Sequence, residues 1–283
     1  MKRTRRSVVL GIGSAACGVL VGGGCRSVEP ARAAAAAPVE LVRPPDGGIQ
    51  PQVAVDASGQ VHLLYYQGQD ASGDLFYTRR PAAGGEWAAP LRVNSVPGSA
   101  VAAGTIRGGQ LALGKGGRPH VVWFGSSRAE ANPLGGAPVL YSRLSEAGTT
   151  FEPQRPLMHA SSLLDGGPGI AADRRGGVYV AWHGAEGAVA PGKPGPGEEK
   201  RRVWMAQSAD DGRTFAAERA VETEPTGACP CCLTKVFADS SGGVYVLYRT
   251  ADGKVNRDTY LLSSGDAGKS FRGAQGDRWK IDT

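Results

Sequence analysis

Four segments of this chain align without a gap, and together they constrain its fold more than any other feature. They are Val53–Tyr65, Leu111–Trp123, Ile170–Trp182 and Val236–Tyr248. Each reads as apolar alternation, a Gly-containing turn, then apolar alternation again, which is the pattern of two strands joined by a tight turn. Their starts lie roughly 60 residues apart, a period that means a solenoid or a propeller. Asp56, Asp173 and Asp239 precede the turn glycines Gly59, Gly176 and Gly242, whereas the second copy has Gly114 where the others have Asp. His62 and His120 align with Tyr179 and Tyr245, so they are read as structural.

A third strand should follow each pair, at Leu75–Arg79, Val139–Arg143, Val203–Gln207 and Thr259–Ser263. A second motif comes directly after the later ones. Ser208, Asp210, Gly212, Thr214 and Phe215 recur as Ser264, Asp266, Gly268, Ser270 and Phe271, and in degenerate form within Leu144–Phe151. Gly84–Trp87 is the remnant in the first repeat, and Leu91–Asn94 exemplifies the expected fourth strand. The acid accepts backbone N–H groups across a loop, the Gly takes a positive φ, and the aromatic packs on the sheet beneath. The result is an all-β chain of four-stranded antiparallel blades.

This motif resembles the Asp-box, or BNR repeat, of the sialidase (neuraminidase) superfamily. The resemblance covers nearly all of residues 48–275 and implies a sialidase-like β-propeller, normally six-bladed. Four blades are visible, so the propeller at residues 38–283 is expected to be incomplete at its C-terminal side. An open propeller would expose sheet faces and call for a partner or self-association.

The first-to-second turns and the Asp-boxes should share one end of the blades. The long, individual loops, Ser126–Pro138, Gly184–Arg202 and Glu222–Thr234, should share the other, together with Arg43, Arg107, Asp165, His183, Arg249 and Arg257. Loops that escape a repeat are where function concentrates. Glu198–Arg202 reads either as a solvated turn or as a basic lip over an acidic ligand. Sialidases hold a sugar carboxylate with three Arg, because a guanidinium matches a planar carboxylate. They also use an Asp as acid/base with a Tyr–Glu pair as nucleophile and activator. By that resemblance Arg43, Arg249 and Arg257 are substrate-binding candidates, joined by Arg107 at the same blade end, and Asp70 and Asp74 are the acid/base candidates. No Tyr–Glu pair can be assigned. No cofactor is expected.

Cys229, Cys231 and Cys232 stand in Cys-Pro-Cys-Cys, and two readings remain open. Thiols of an exported protein usually oxidise, which favours one disulfide with the leftover Cys paired elsewhere. Clustered thiolates also suit copper(I) or zinc.

Residues 1–37 read as an export signal and Ala-rich leader. Lys2, Arg3, Arg5 and Arg6 form a basic head before an apolar run too short to span a membrane. Thr4–Val9 resembles the twin-arginine pattern, with general secretion as the alternative. Cys25 is a lipidation candidate, giving an N-terminal membrane anchor; the alternative is cleavage within Ala33–Ala37. Four units of the formal charge of +6 lie in that head, leaving +2 beyond residue 25, which is no footprint for nucleic acid. The expected function is recognition, and in a complete ring hydrolysis, of terminal sugars of glycans. The alternative is a non-catalytic envelope scaffold or protein-interaction propeller, with a metal or disulfide at the Cys cluster.

Overall fold

The computed structural model describes residues 41–272, apart from 105–106, 191–192, 223 and 252–256. Residues 1–37, read as an export signal and leader, and Cys25 within them, lie outside the described residues.

Each repeat folds into an antiparallel sheet whose strands follow chain order. The first contains β1 (Ile49–Val55), β2 (Val61–Gln69), β3 (Ser72–Arg80) and β4 (Leu91–Arg92). The second contains β5 (Gln110–Leu113), β6 (Pro119–Phe124), β7 (Val139–Arg143) and β8 (Arg155–Pro156). The short β9 (Ser161–Ser162) precedes the third, made of β10 (Gly169–Ala172), β11 (Val178–Glu186), β12 (Arg202–Ser208) and β13 (Arg219–Ala220). The fourth contains β14 (Lys235–Ala238), β15 (Val244–Arg249) and β16 (Thr259–Ser264), and Arg272 bridges to Ser263 where a further strand would pair.

The turns form as their residues dictate. Asp173 Oδ1 accepts the N–H groups of Arg175 and Gly177 at 2.8 and 2.9 Å, and Gly176 takes φ +100°. Asp56 and Asp239 repeat the arrangement with Gly59 and Gly242 at φ +82° and +99°. A carboxylate beside two orphan N–H groups and a glycine in the left-handed region define this hairpin.

Successive sheets pack face to face, and each core belongs to two of them. Leu64, Tyr66, Leu75 and Tyr77 meet Val121, Trp123 and Leu140. Val122, Val139 and Tyr141 meet Ile170, Val180, Trp182 and Trp204. Ala181, Val203 and Met205 meet Val246, Tyr248, Tyr260 and Leu262. This is why Val121 to Trp123 and Val178 to Ala185 are buried on both faces. The first strands lie side by side, β1 on β5, β5 on β10 and β10 on β14. They curl about a common centre, because Lys235 on β14 reaches across to Gln110 on β5. The chain is thus built of β-propeller blades. The outward faces of the first and fourth sheets leave Val53 and Val55 each 61% exposed and Phe237 62% exposed.

Three expectations change in detail. Gly184–Glu186 is not loop: β11 runs on through it because Ser161 and Ser162 supply partners for Ala185 and Glu186. The fourth strands are only two residues long, since β4, β8 and β13 each pair two residues before the chain leaves for the next blade. The aromatics that end the motifs of the second and third blades pack on the preceding blade: Phe151 sits edge-on to Tyr77 at 5.6 Å and Phe215 edge-on to Tyr141 at 4.7 Å.

Candidate functional site

The end that carries the Ser208–Phe215 and Ser264–Phe271 motifs is a self-contained lattice of turn hydrogen bonds. Asp210 Oδ1 accepts from the Ser208 hydroxyl at 2.7 Å and from Thr214 N at 2.9 Å, while the Thr214 hydroxyl donates to Oδ2 at 2.6 Å. Gly212 N donates back to Ser208 Oγ at 2.9 Å. Ser264, Asp266, Gly268 and Ser270 reproduce this bond for bond. Burial raises the pKa of Asp210, but the donors from Thr214 and Ser208 outweigh it and hold the carboxyl at about 2.

His62 and His120 serve this same end. His62 Nε2–H donates to Asp56 Oδ2 at 3.3 Å, as the Tyr179 and Tyr245 hydroxyls do to Asp173 and Asp239 at 3.0 Å. Its Nδ1 meets the Tyr77 hydroxyl at 2.6 Å. His120 has no such Asp, because position 114 is Gly. The ring faces Asp211 Oδ1 at 3.4 Å instead, and its Nδ1 meets the Tyr141 hydroxyl at 2.7 Å. Asp211, in the next blade's Ser208–Phe215 turn, is buried and at φ +62°. Arg118 Nε donates to its Oδ2 at 2.6 Å, and Arg143 donates to its backbone O at 2.8 Å.

The opposite end carries the individual loops, and residues of every blade meet there. Gln50 occupies an irregularity in β1 at φ +50° and donates to Ala102 O at 2.8 Å and to Gly104 O. Its Oε1 is buried without a partner, lying over Gly108, where a Cβ would come within 2.2 Å of it. Arg107 Nε donates to Asp165 O at 2.8 Å, its NH2 donates to Oδ1 at 2.5 Å, and the guanidinium lies 5.8 Å from the Phe124 ring. Lys235 Nζ donates to Gln110 Oε1 at 2.8 Å. Much of Lys235 is exposed, yet crowding around its ammonium lowers its pKa.

Farther out, Arg257 forms a two-pronged ion pair with Glu198, one bond being 2.7 Å, and Arg249 Nε donates to Arg257 O at 3.2 Å. His183 Nε2–H donates to Cys232 O at 3.0 Å, and full burial lowers the imidazole to about 4. The Glu198–Arg202 segment opens with a 3-10 turn at Glu198–Lys200. Arg201 donates to Leu163 O at 2.6 Å, and Arg202 pairs with Glu222 at 2.5 Å. A cavity of about 320 Å³ opens beside Lys200, Arg201, Arg202, Glu222 and Glu224. Glu222 is raised by burial despite its Arg partner.

The predicted site residues are therefore brought together only in part. Arg249 and Arg257 are neighbours on the fourth blade, Arg107 lies with Asp165, and Arg43 is exposed ahead of β1. Asp74 Oδ1 accepts from Asn94 Nδ2 at 2.6 Å and Gly98 N at 2.8 Å, which ties the first crossover to β3. Asp70 sits at the β2–β3 hairpin tip, where its backbone O accepts from Ala102 N at 2.8 Å. Beside them the buried Tyr66 phenol is pushed up to about 12, first by burial and then by both carboxylates, the opposite of an activated nucleophile. Cys229, Cys231 and Cys232 are free thiols among the described residues. Gln50, Gln110 and Lys235 escaped the sequence reading. Their only signal is a polar residue at or near the start of a repeat's first strand.

No protein-family model matches the chain, and no curated protein matches it. Among solved structures it is similar to the Hadza microbial sialidase Hz136, at 16% identity and TM-score 0.45, over 72% of this chain and 45% of that one. It is similar also to the polysaccharide lyase Uly1, at 9% identity and TM-score 0.49, over 82% of this chain and 49% of that one. A third is the α-L-arabinanase of Penicillium chrysogenum, at 12% identity and TM-score 0.49, over 81% of this chain and 65% of that one. The chain spans about half the length of the first two. At these scores a shared site does not follow from the shared strand arrangement.

Proposed function

We propose that this chain is an exported, sialidase-like propeller that recognises terminal sugars of glycans at the end where the first strands begin. The observation that supports this most is the Lys235–Gln110 bond across that end, with Gln50 held on the crossover at Ala102 and Gly104 that also carries Arg107. A guanidinium, amides and an ammonium fixed by neighbouring blades suit the hydroxyls and carboxylate of an acidic sugar. The Asp-box pattern of the sequence favours the sialidase class. Recognition is preferred to hydrolysis, because Asp74 is engaged by Asn94 and Gly98 and the Tyr66 phenol is raised.

Calorimetric titration with sialyllactose and with lactose tests the reading. Sialyllactose should bind, and Arg107→Ala should weaken it at least about tenfold, the scale of one lost charged contact. Arg213→Ala, at the Asp-box end, should leave binding unchanged. Equal failure of both sugars overturns the proposal. Turnover of a fluorogenic sialoside that disappears in Asp70→Asn overturns the preference for recognition alone. Export and lipid anchoring at Cys25 are part of the same proposal. Cell fractionation and the intact mass of the mature chain check them.

A further inference from the structure

We propose that Cys229, Cys231 and Cys232 form a three-thiolate site for one soft monovalent metal ion, copper(I), separate from the sugar-facing residues. The three sulfurs lie within 4.8 Å of one another, with Cys229 Sγ 3.4 Å from Cys231 Sγ and 3.1 Å from Cys232 Sγ. A planar ion with metal–sulfur bonds of about 2.3 Å needs sulfurs about 4 Å apart, so small side-chain rotations suffice. No fourth Cys, His, Asp or Glu joins the group among the described residues. His183, the nearest imidazole to this loop, turns its Nε2–H to the Cys232 carbonyl. A tetrahedral zinc site wants four ligands, whereas soft thiolates select copper(I), which accepts three.

The loop that carries the sulfurs is held from both sides. Cys229 N donates to Arg249 O at 2.9 Å, and Cys232 N donates to Cys229 O at 3.3 Å. On the preceding blade Gly166 leaves room for the Cys232 carbonyl, since a Cβ there would lie 2.2 Å from that oxygen. The backbone is therefore set before a metal arrives, which lowers the ordering cost of binding. Three thiolates and one copper(I) sum to a charge of −2, and the Arg257 guanidinium, paired with Glu198, lies near Cys229. Binding releases the three thiol protons and leaves the copper oxidation state unchanged, so no electron donor or acceptor is required. Cys229 is buried and Cys231 exposed, which leaves one sulfur open for exchange with an incoming carrier thiol.

The test uses the full chain with Cys17→Ser and Cys25→Ser, so that only the cluster can respond. The protein is reduced, handled without oxygen and titrated with copper(I) against a chromogenic copper(I) chelator. The expected result is one equivalent retained, with three sulfur neighbours at about 2.3 Å by X-ray absorption. Cys231→Ser, at an exposed position that leaves the fold intact, should lower affinity at least about a hundredfold and reduce the sulfur count to two. Circular dichroism of that variant should match the parent. Loss of all copper to the chelator overturns the site. So does unchanged retention by Cys231→Ser, or tighter binding of zinc with a fourth, lighter neighbour. A disulfide in the isolated protein that, once reduced, yields no copper-binding chain overturns it equally. None of these outcomes depends on whether sialyllactose binds.

Discussion

Lys235 Nζ donates to Gln110 Oε1 at 2.8 Å although their strands, β14 and β5, are separated by β10. The bond spans the centre around which the first strands curl, so it reports on blade arrangement as well as on the proposed sugar site. Lys235→Met keeps the stem and removes the donor. It should cost about 1 kcal/mol of stability, the worth of one part-exposed hydrogen bond, and lower the melting temperature by a few degrees. Its effect on sialyllactose affinity should be larger than that. Thermal scans beside calorimetric titration separate the two effects, and an unchanged affinity would remove Lys235 from the site.

Asp211 anchors the buried ionic network between the second and third blades. Its side chain is 7% exposed, and those of Arg118 and Arg143 are 16% and 4% exposed. Asp211→Asn retains the shape and tolerates the positive φ, so it removes charge alone. It should destabilise by about 1–3 kcal/mol, because two guanidiniums lose a buried counter-ion while keeping Glu146 and Glu152. Urea unfolding measures this; a loss below about 1 kcal/mol would mean that Glu146 and Glu152 suffice.

Gly114→Asp would make the second repeat match the other three, yet it should destabilise. A Cβ at Gly114 would lie 2.5 Å from His120 Nε2 and 2.9 Å from Cδ2, and His120 is fully buried with no room to turn. A cost of about 1–3 kcal/mol is expected for forced overpacking. A higher melting temperature in the variant would contradict this account.

Arg155 braces the third blade's Ser208–Phe215 turn from the second blade, donating to the carbonyls of Gly212 and Arg213 while lying 5.3 Å over the Tyr141 ring. Arg219 repeats the role on Gly268 and Lys269 of the fourth blade. Arg155→Ala and Arg219→Ala should each cost on the order of 1–2 kcal/mol. Arg155→Lys should recover only part of it, since an ammonium lacks the fork that spans two carbonyls.

Stability should fall on mild acidification. Burial lowers His183 to about 4, while in the unfolded chain it titrates near the ordinary 6.5. The unfolded state therefore binds the proton first, and stability present above about pH 6.5 declines as pH falls to about 4, by about 1.4 kcal/mol per unit within that window. Burial lowers His62 and His120 too, which adds to the same trend. His183→Gln keeps a donor for Cys232 O and should show a shallower decline between pH 6.5 and 5 in thermal scans.

The blades were legible in the sequence because turn and strand chemistry is local. Asp173, Gly176 and the alternation around them lie within one short segment, and so do Ser208 to Phe215. What the sequence withheld depends on distant partners. Asp211 stands in for the missing Asp at position 114 from 97 positions away in the chain, next to Arg118 at a separation of 93. Asp74, read as an acid/base candidate, is tied to Asn94 and Gly98 by a crossover whose path no pattern reveals. Gln110 and Lys235 stand 125 positions apart, and only the curvature of the first strands joins them. Glu198 and Arg257 are likewise joined only by the way two long loops return to the same blade end.

Among the described residues each core cluster is shared between two blades, which sets the order in which the structure opens. An inner sheet such as the third cannot lose a neighbour without uncovering half of its own apolar surface, whereas the sheets of Val53 and Phe237 leave one face exposed and should open before it. Backbone amides of β11 and β6 should then exchange with deuterated water last, and those of β1 and β14 first. Protection graded by position in the row, rather than uniform across the chain, is the kinetic signature of stability held in seams.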